Sequence, residues 1–244
     1  FCTNGNCTIV SCRQRDSLTL VDFYNTLDPA SSNFWDLTKP INRWYGVTLN
    51  ENGCVTEIYL EEAGLQGNID PKLSNLSELI HLDLNGNELS GSIPSELGNL
   101  SNLNYLRLNS NQLTGNIPTE LTNLNNLLYL RLSSNQLTGN IPAELGNLNN
   151  LSYLNLIANQ LTGNIPAELG NLNNLSYLNL GYNQLTGCYP STLNSFCGQL
   201  SYNNISGGNN LDADWENFCN NGSGICGAVW PGDFNYDGLA NTMD

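Results

Sequence analysis

A 24-residue pattern that occurs five times constrains this chain more than any other feature of its sequence. The copies follow the pattern L-x-x-L-x-L-x-x-N-x-L-[ST]-G-x-I-P-x-x-L-x-x-L-x-x and begin at Leu79, Leu103, Leu127, Leu151 and Leu175, except that the fifth copy has Tyr189 in place of the isoleucine and Phe196 in place of the last leucine. A sixth, degenerate copy covers residues 55–78, where Ala63 stands in place of the asparagine. Because one copy is too short to bury its own apolar side chains, the copies must stack, and the sequence predicts a solenoid.

Each copy contains signals for a strand and two bends. The L-x-L segment, such as Leu106-Arg107-Leu108, alternates apolar and exposed residues and predicts a short half-buried strand. An asparagine follows each strand, and we expect its amide to bond backbone groups in a structural ladder at Asn87, Asn111, Asn135, Asn159 and Asn183. A glycine and, three residues later, a proline then set the next bend, beginning at Gly91, Gly115, Gly139, Gly163 and Gly187.

The [ST]-G-x-I-P element resembles the plant-type leucine-rich repeat, which occurs in plant receptor ectodomains, polygalacturonase inhibitors and many bacterial surface proteins. This resemblance implies an α/β solenoid with a parallel β-sheet on its concave face and 3-10 or irregular segments on its convex side. We expect an N-terminal cap over residues 1–54, the repeat array over 55–198, a C-terminal cap over 199–230 and a final segment over 231–244.

The cysteines lie only at the two ends of the array. Cys2, Cys7, Cys12 and Cys54 lie before it, and Cys188, Cys197, Cys219 and Cys226 lie at its end. We therefore predict disulfide-reinforced caps in which all eight cysteines are oxidised and no bridge joins the two groups, with three connectivities open at each end. Disulfides require an oxidising compartment, and Phe1 looks like the start of a mature chain, so we expect a secreted or cell-surface protein.

The N-terminal cap is predicted to contain an amphipathic helix. Apolar residues from Leu18 to Leu27 follow a helical period within residues 13–27, and Asp16 or Ser17 is the expected N-cap. The helix should cover the first repeat. Together with a tryptophan loop and the W-Y-G-V-T sequence at residues 44–48, it resembles the N-terminal cap of secreted bacterial proteins with plant-type repeats, especially those of the Bacteroidota.

Composition and motifs argue against several classes of function. The net charge of −15 disfavours a nucleic-acid partner, and no apolar run approaches membrane-spanning length. His81 is the only histidine, and neither a G-x-S-x-G motif nor a glycine-rich phosphate loop occurs. We therefore expect a protein that is not an enzyme.

Two columns of outward-facing residues on the predicted sheet form the candidate ligand-binding site. The first column reads Glu57, His81, Tyr105, Tyr129, Tyr153 and Tyr177, and the second reads Tyr59, Asp83, Arg107, Arg131, Asn155 and Asn179. Strands in a sheet lie about 4.8 Å apart, so the tyrosines should form a continuous aromatic stripe. The two arginines lie on adjacent strands and favour an anionic group between them.

This site suits a glycan or an extended peptide, and its predicted ligand-binding residues are Tyr105, Arg107, Tyr129, Arg131, Tyr153, Asn155 and Tyr177. The alternative is that nearly identical repeats copy tyrosine and arginine without a ligand, with Asp83 and the stacked rings balancing the charge.

The last residues of the chain resemble the calcium loop of dockerins. Oxygen-bearing side chains occupy loop positions 1, 3, 5, 9 and 12, and Gly238 occupies position 6, where a tight turn is needed. The predicted Ca²⁺ ligands are Asp233, Asn235, Asp237, Asn241 and Asp244. An acidic linker is the alternative interpretation, and cohesin binding is not implied because a dockerin has two such loops.

A flank of the repeats offers a third surface, formed by Thr114, Thr138, Thr162 and Thr186 with Asn116, Asn140 and Asn164. We expect these side chains to form regular columns, with about 4.8 Å between neighbouring repeats. Such arrays are similar to the ice-binding faces of some plant-type repeat proteins. The favoured function is an extracellular recognition module that binds a glycan or protein on its concave face. A self-assembling surface-layer or filament protein is the main alternative, and an ice-binding protein is the less favoured one.

Overall fold

The computed structural model describes residues 11–28 and 35–197 in full, together with the backbone of residues 2–3, 6–7, 203–204 and 210–211, and Cys219. One α-helix, α1, covers Cys12–Thr26. The described strands, in chain order, are β1 (Cys2–Thr3), β2 (Asn6–Cys7), β3 (Val47–Leu49), β4 (Val55–Tyr59), β5 (Gln66–Asn68), β6 (His81–Asp83), β7 (Glu88–Ser90), β8 (Tyr105–Arg107), β9 (Thr114–Asn116), β10 (Tyr129–Arg131), β11 (Gln136–Thr138), β12 (Tyr153–Asn155), β13 (Thr162–Gly163), β14 (Tyr177–Asn179), β15 (Gln184–Gly187), β16 (Asn203–Asn204) and β17 (Asn210–Leu211).

Short 3-10 helices form the opposite side of the repeats, as the sequence predicted. The one in the N-terminal cap is η1 (Ile41–Arg43), and those in the repeats are η2 (Pro71–Asn75), η3 (Ser95–Asn99), η4 (Thr119–Asn123), η5 (Ala143–Asn147), η6 (Ala167–Asn171) and η7 (Ser191–Phe196). Each of the five from η2 to η6 follows a residue in extended conformation, which is proline in η3 to η6 and Asp70 in η2. Proline fixes its own φ and so restarts the chain direction at the same point of every repeat.

One sheet of eight strands forms the concave face, in the order β16-β14-β12-β10-β8-β6-β4-β3. Seven of them pair in parallel, and from β4 to β14 the register is one repeat, so that Tyr105 lies opposite both His81 and Tyr129. The strand β3 pairs antiparallel with β4 and closes the N-terminal end of the sheet. The predicted parallel sheet is therefore confirmed, and the antiparallel edge strand adds to it.

The core is a continuous column of leucine side chains between the concave strands and the 3-10 helices. Leu82, Leu106, Leu130, Leu154 and Leu178 point inward from successive strands and are completely buried. Because each repeat packs mainly against its two neighbours, removing water from these side chains stabilises the stack and not any single repeat.

The predicted asparagine ladder is confirmed. In a middle repeat, the Asn135 amide donates to the carbonyl oxygens of Leu108 at 3.0 Å and Leu132 at 3.1 Å, and its Oδ1 accepts from the Leu113 N–H at 3.0 Å. Equivalent bonds occur at Asn87, Asn111, Asn159 and Asn183. Each amide thus satisfies backbone groups of two repeats that the sheet does not reach.

The residue before each ladder asparagine has a left-handed backbone. These residues are Gly86, Ser110, Ser134, Ala158 and Tyr182, and Glu62 occupies the same position before Ala63 in the degenerate repeat; those other than glycine have φ between 50° and 58°. A left-handed conformation costs a residue with a Cβ atom roughly 1–2 kcal/mol. The sequence did not predict this turn because a glycine occupies it in only one repeat, and the bonds made by the following asparagine offset its cost.

The N-terminal helix begins earlier than its predicted cap. Ser11 is the N-cap, and its hydroxyl accepts from the Gln14 N–H at 3.3 Å, so the prediction of Asp16 or Ser17 is wrong. Asp16 is completely buried and accepts from the Val55 N–H at 2.8 Å. This bond places the carboxylate inside the cap, and Leu18 on the same helix is exposed.

The helix covers the first repeat, as predicted. Lys72 and Asp22 form an ion pair at 2.8 Å between η2 and α1, and the Asp28 N–H donates to the Gln66 carbonyl at 2.8 Å. Trp35 stacks on Trp44 with 5.0 Å between ring centroids and fills the cap beside the helix.

Disulfides reinforce both ends of the array. Cys12 is bonded to Cys54, which ties the helix to the start of the first repeat, and Cys197 is bonded to Cys219. Cys188 is also disulfide-bonded. Both described pairs join cysteines of the same end, in agreement with the predicted caps, and no cysteine in the described part of the chain is free.

Candidate functional site

A continuous stack of aromatic rings lies along the concave sheet. The centroids of successive rings are 4.1–5.4 Å apart, and the order is Tyr59, His81, Tyr105, Tyr129, Tyr153 and Tyr177. From His81 onward the planes of neighbouring rings differ by only 4–22°. The predicted aromatic stripe is therefore present, and Tyr59 joins it from the second column in place of Glu57.

The stacking changes what these side chains offer to a partner. Each inner ring covers the face of its neighbour, so the edges and hydroxyl groups remain available in the middle of the stripe, where the rings are half-buried. Sugar rings pack on aromatic faces, whereas peptide groups bond readily to phenol hydroxyls. The middle of the stripe therefore offers ring edges and hydroxyl groups to a partner, and not open ring faces.

The positive charges of the two arginines in the second column have different surroundings. Arg107 Nη1 donates to Asp83 Oδ2 at 3.2 Å, so this guanidinium has an internal counterion. The Arg131 guanidinium lies over the Tyr153 ring, 4.5 Å from its centroid, and pairs with no carboxylate among the described residues. A cation held on an aromatic face in this way keeps its full charge for an anionic partner.

Several polar atoms of this face are buried without a hydrogen-bond partner in the described part of the chain. They are His81 Nε2, Arg107 Nε, Asn109 Oδ1 and Arg131 Nε. They lie on strands β6, β8 and β10 and in the turn after β8, and each of these atoms is buried from solvent. Asn155 differs because its Oδ1 already accepts from the Ile157 N–H at 3.2 Å.

The structure thus brings the predicted residues Tyr105, Arg107, Tyr129, Arg131, Tyr153, Asn155 and Tyr177 onto one face, in register. The predicted ligand-binding residues did not include Asp83, His81 or Asn109. Their outward positions were readable from the repeat, but their contacts with one another depend on side-chain conformations that a repeat pattern does not contain.

Asp83 is the most strongly perturbed acid of this face. Burial raises the pKa of its carboxyl group, but the His81 ring, hydrogen bonds from the Asn85 side chain and backbone, and the charge of Arg107 outweigh burial and lower the pKa to about 2. The Asn85 side chain donates to Asp83 Oδ1 at 2.7 Å. The ionised form of Asp83 is therefore part of the folded structure.

This shift predicts an acid-sensitive contribution to stability. Because the pKa falls from 3.8 on folding to about 2, the contribution is present above pH 3.8 and is lost as the pH falls towards 2. It amounts to about 2 kcal/mol. We expect the free energy of unfolding in urea to depend less on pH between pH 4 and pH 2 in Asp83→Asn than in the unmodified protein. Glu144→Gln, on the exposed convex side, should leave this pH dependence unchanged. Equal slopes for Asp83→Asn and the unmodified protein would contradict this assignment.

The threonine and asparagine flank differs from its predicted geometry. The flanking strands pair residues 22 positions apart, so Thr138 lies opposite Asn116 and Thr162 opposite Asn140. The concave strands pair residues 24 positions apart, and the flanking strands therefore lean relative to the direction of stacking. Threonine therefore lies opposite asparagine in these neighbouring repeats, and the expected columns are offset by two residues from one repeat to the next.

The predicted calcium loop from Asp233 to Asp244 lies outside the described residues and stays a prediction. Within the described part of the chain, the group with metal-ligand spacing is Cys12, Asp16 and Cys54, and the disulfide between its two cysteines accounts for it. The described helices include none that is long and apolar enough to span a membrane.

Residues 58–207 match the family described as "Leucine-rich repeat region". This match covers more than half of the chain, which therefore belongs to the leucine-rich repeat family. No curated protein matches the sequence.

Among solved structures, the chain is similar to the ectodomain of the receptor kinase GASSHO1/SCHENGEN3 from Arabidopsis thaliana, solved with CASPARIAN STRIP INTEGRITY FACTOR 2. The TM-score is 0.62 at 34% identity, over 77% of this chain and 27% of that chain. The plant peptide hormone receptor RGFR1, in complex with RGF2, has a TM-score of 0.57 at 40% identity, over 59% of this chain and 23% of that chain. The chain thus spans about a quarter of each receptor structure.

A plant ice-binding protein has a TM-score of 0.57 at 26% identity, over 82% of this chain and 72% of that chain. Proteins of different function therefore share this fold, and function has to be argued from the site.

Proposed function

We propose that this chain is a non-enzymatic extracellular recognition module that binds an extended peptide or protein segment along strands β6 to β10 of its concave face. The observation that carries the proposal is the ring stack from Tyr59 to Tyr177, which presents ring edges and hydroxyl groups beside the Arg131 guanidinium. Tyrosine and arginine, with tryptophan, are enriched among the residues that dominate binding energy in protein interfaces.

The strand geometry supports an extended ligand. Neighbouring concave strands place equivalent side chains at regular intervals, about 4.8 Å apart, across the sheet. A peptide that crosses the strands can therefore meet the same set of groups on each repeat. Arg131, which rests on Tyr153, would hold an acidic side chain or a terminal carboxylate of such a segment.

Two further observations support an extracellular location. Disulfides such as Cys12–Cys54 persist in oxidising compartments. GASSHO1/SCHENGEN3 was crystallised as an ectodomain, and RGFR1 is a receptor for a peptide hormone.

The flank on which threonine faces asparagine supplies no comparable cluster of unsatisfied polar groups among the described residues.

Selection of displayed random 12-residue peptides against the immobilised chain tests the proposal. We expect selected peptides to lose about 1–3 kcal/mol of binding free energy, roughly 5- to 150-fold in Kd, with Arg131→Gln or Tyr129→Ala. Calorimetry with synthetic peptides gives the measurement. Thr138→Ala on the flanking strand is the matched control and should leave the Kd unchanged.

The outcomes separate the alternatives. Peptides that bind all three variants equally would place recognition on another surface. Failure to select any peptide, together with specific retention of a glycan on an array, would replace the peptide ligand with a carbohydrate. Light scattering at increasing concentration measures self-assembly. If the protein forms oligomers and Tyr129→Ala abolishes them, the partner is a second copy of the chain.

A further inference from the structure

Two adjoining cavities open on the surface of the N-terminal cap, and Arg13 lines both of them. The first has a volume of about 350 Å³ and lies between α1 and η1, where Leu18, Pro40 and Ile41 form an apolar wall. The second, of about 460 Å³, lies beside β3 and includes Glu51 in its lining. Leu18 is 58% exposed, so the helix presents an apolar side chain at the rim. The two cavities together are called the cap groove below.

Packing on Gly53 holds the Arg13 side chain at the junction of the two cavities. Gly53 has a φ of +77°, and a Cβ atom added to it would lie 3.2 Å from the Arg13 Cβ atom and 3.3 Å from its Cδ atom. The stem of the arginine therefore occupies the space that a side chain at position 53 would need. The Arg13 guanidinium forms no ion pair or side-chain hydrogen bond within the described part of the chain. A cation with a packed stem and no counterion suits an anionic group.

The groove runs along an unpaired strand edge. The strand β3 is the last strand of the concave sheet, and among the described strands it pairs only with β4. The Tyr59 N–H donates to the Gly46 carbonyl oxygen at 2.7 Å, so alternate residues from Gly46 onward point their backbone groups at β4, and those of Val47 and Leu49 face away. The Val47 N–H donates to the Trp44 carbonyl oxygen at 3.3 Å. The Val47 carbonyl and both backbone groups of Leu49 thus have no partner in the described part of the chain.

The same edge leaves apolar surface uncovered. Val47 lies opposite Ile58, which lies opposite Leu82, and the last two are completely buried. Val47 and Leu49 also pack against the core but are only half-buried. A further strand at this edge would remove their apolar surface from water and satisfy the free backbone groups, which is how sheet edges bind extended peptides.

We propose that the cap groove binds an extended acidic peptide segment, which adds to β3 as a ninth strand of the sheet. The segment bonds the Val47 carbonyl and both backbone groups of Leu49. A carboxylate of the segment accepts from the Arg13 guanidinium, and an apolar side chain enters the cavity beside Leu18. These two side chains lie on one face of the segment and are therefore two residues apart. A second copy of the chain is not the occupant, since two molecules with a net charge of −15 repel one another.

This site is separate from the one proposed on the concave face. The concave ligand crosses strands β6 to β10, whereas a segment in the cap groove runs alongside β3 at the end of the sheet. Either site can therefore fail its test without affecting the other.

NMR titration of the isotope-labelled protein with a blocked synthetic peptide, Ser-Val-Thr-Glu-Thr-Val-Thr-Ser, tests the proposal. Valine, glutamate and valine share one face of this peptide when it is extended. On saturation, exchange of the Leu49 amide proton with solvent should slow by about 10-fold or more, because its N–H gains an acceptor. The Thr48 N–H points at β4 already, so its exchange rate is the internal reference and should not change.

Variants of the protein test the role of the cation. Arg13→Gln should raise the Kd about 10-fold, and replacing the peptide glutamate with glutamine should have the same effect on the unmodified protein but none on Arg13→Gln. Gly53→Ala should also raise the Kd because it displaces the arginine stem. Its matched control is Gly64→Ala, since Gly64 has a φ of +70° but nothing lies within 4 Å of an added Cβ atom. Arg43→Gln removes a cation that lines neither cavity and should leave the Kd unchanged.

Methylation of the peptide nitrogen atoms separates strand addition from other modes of binding. Two peptides methylated at alternate residues, in the two possible phases, block opposite edges of the segment, so only one of them should lose affinity, by about 10-fold or more. Equal affinity of both methylated peptides and the parent would overturn the ninth strand. An unchanged Leu49 amide at millimolar peptide, or an Arg13→Gln variant that binds as tightly as the unmodified protein, would overturn the site. If the Leu49 signal shifts with protein concentration alone, the occupant is a second copy and the peptide assignment is wrong.

Discussion

Asn135→Ala is expected to lower the free energy of unfolding by about 2–4 kcal/mol. The substitution leaves the buried Leu113 N–H without its acceptor, and it removes one of the two amide donors to each of the Leu108 and Leu132 carbonyl oxygens, which keep their bonds from Asn111 and Asn159. An unsatisfied buried group costs about 1–3 kcal/mol, and alanine can replace none of these bonds. Urea unfolding followed by circular dichroism measures the loss.

The chain offers a matched control for this prediction. Asn126 also bonds a backbone group of the preceding repeat, donating to the Ser101 carbonyl at 2.9 Å, but its bond is exposed to water. Asn126→Ala should therefore cost less than about 1 kcal/mol. Similar losses for the two variants would show that the ladder contributes no more than a surface bond does.

The second large effect is expected for Gly146→Ala. Gly146 lies in η5, and a Cβ atom added there would overlap the Glu168 carbonyl oxygen of η6. Because the obstacle is backbone, the two repeats must separate, and overpacking of this kind costs about 1–3 kcal/mol. The loss of packing should also reduce cooperativity, since neighbouring repeats stabilise one another.

The preceding repeat supplies the control, because Thr122 occupies the position equivalent to Gly146. Its hydroxyl donates to the Thr119 carbonyl at 2.6 Å, and η4 and η5 pack less closely than η5 and η6 do. Thr122→Ala adds no volume and should change the unfolding free energy by less than about 1 kcal/mol. A Gly146→Ala variant as stable as Thr122→Ala would mean that the spacing of the repeats adapts freely to a side chain.

Much of the fold followed from the period of the sequence. Equivalent positions 24 residues apart must occupy equivalent places in a stack, so Leu106, Leu130 and Leu154 were predicted to share a buried column, and they do. The same argument placed the tyrosines and arginines on one face. The ladder asparagines were predicted because a polar side chain recurring in an apolar pattern has to satisfy backbone groups.

The period was less informative wherever a feature occurs once or depends on the tilt of the repeats. The cap of α1 depended on Ser11, and the buried carboxylate of Asp16 became understandable only with the Val55 N–H beside it. On the flank, the lean of the strands paired Thr138 with Asn116, although the repeat by itself aligns threonine with threonine.

The sequence by itself determined the solenoid, the leucine core, the ladder and the residues that line the concave face, because these follow from repetition in one dimension. Only the tertiary structure decided how those residues act on one another. The rings cover each other's faces, Asp83 neutralises Arg107, and Arg131 rests on Tyr153 without a carboxylate among the described residues. Such contacts depend on the conformations of side chains from neighbouring repeats. These side chains differ from copy to copy, so a repeating pattern carries no information about their contacts.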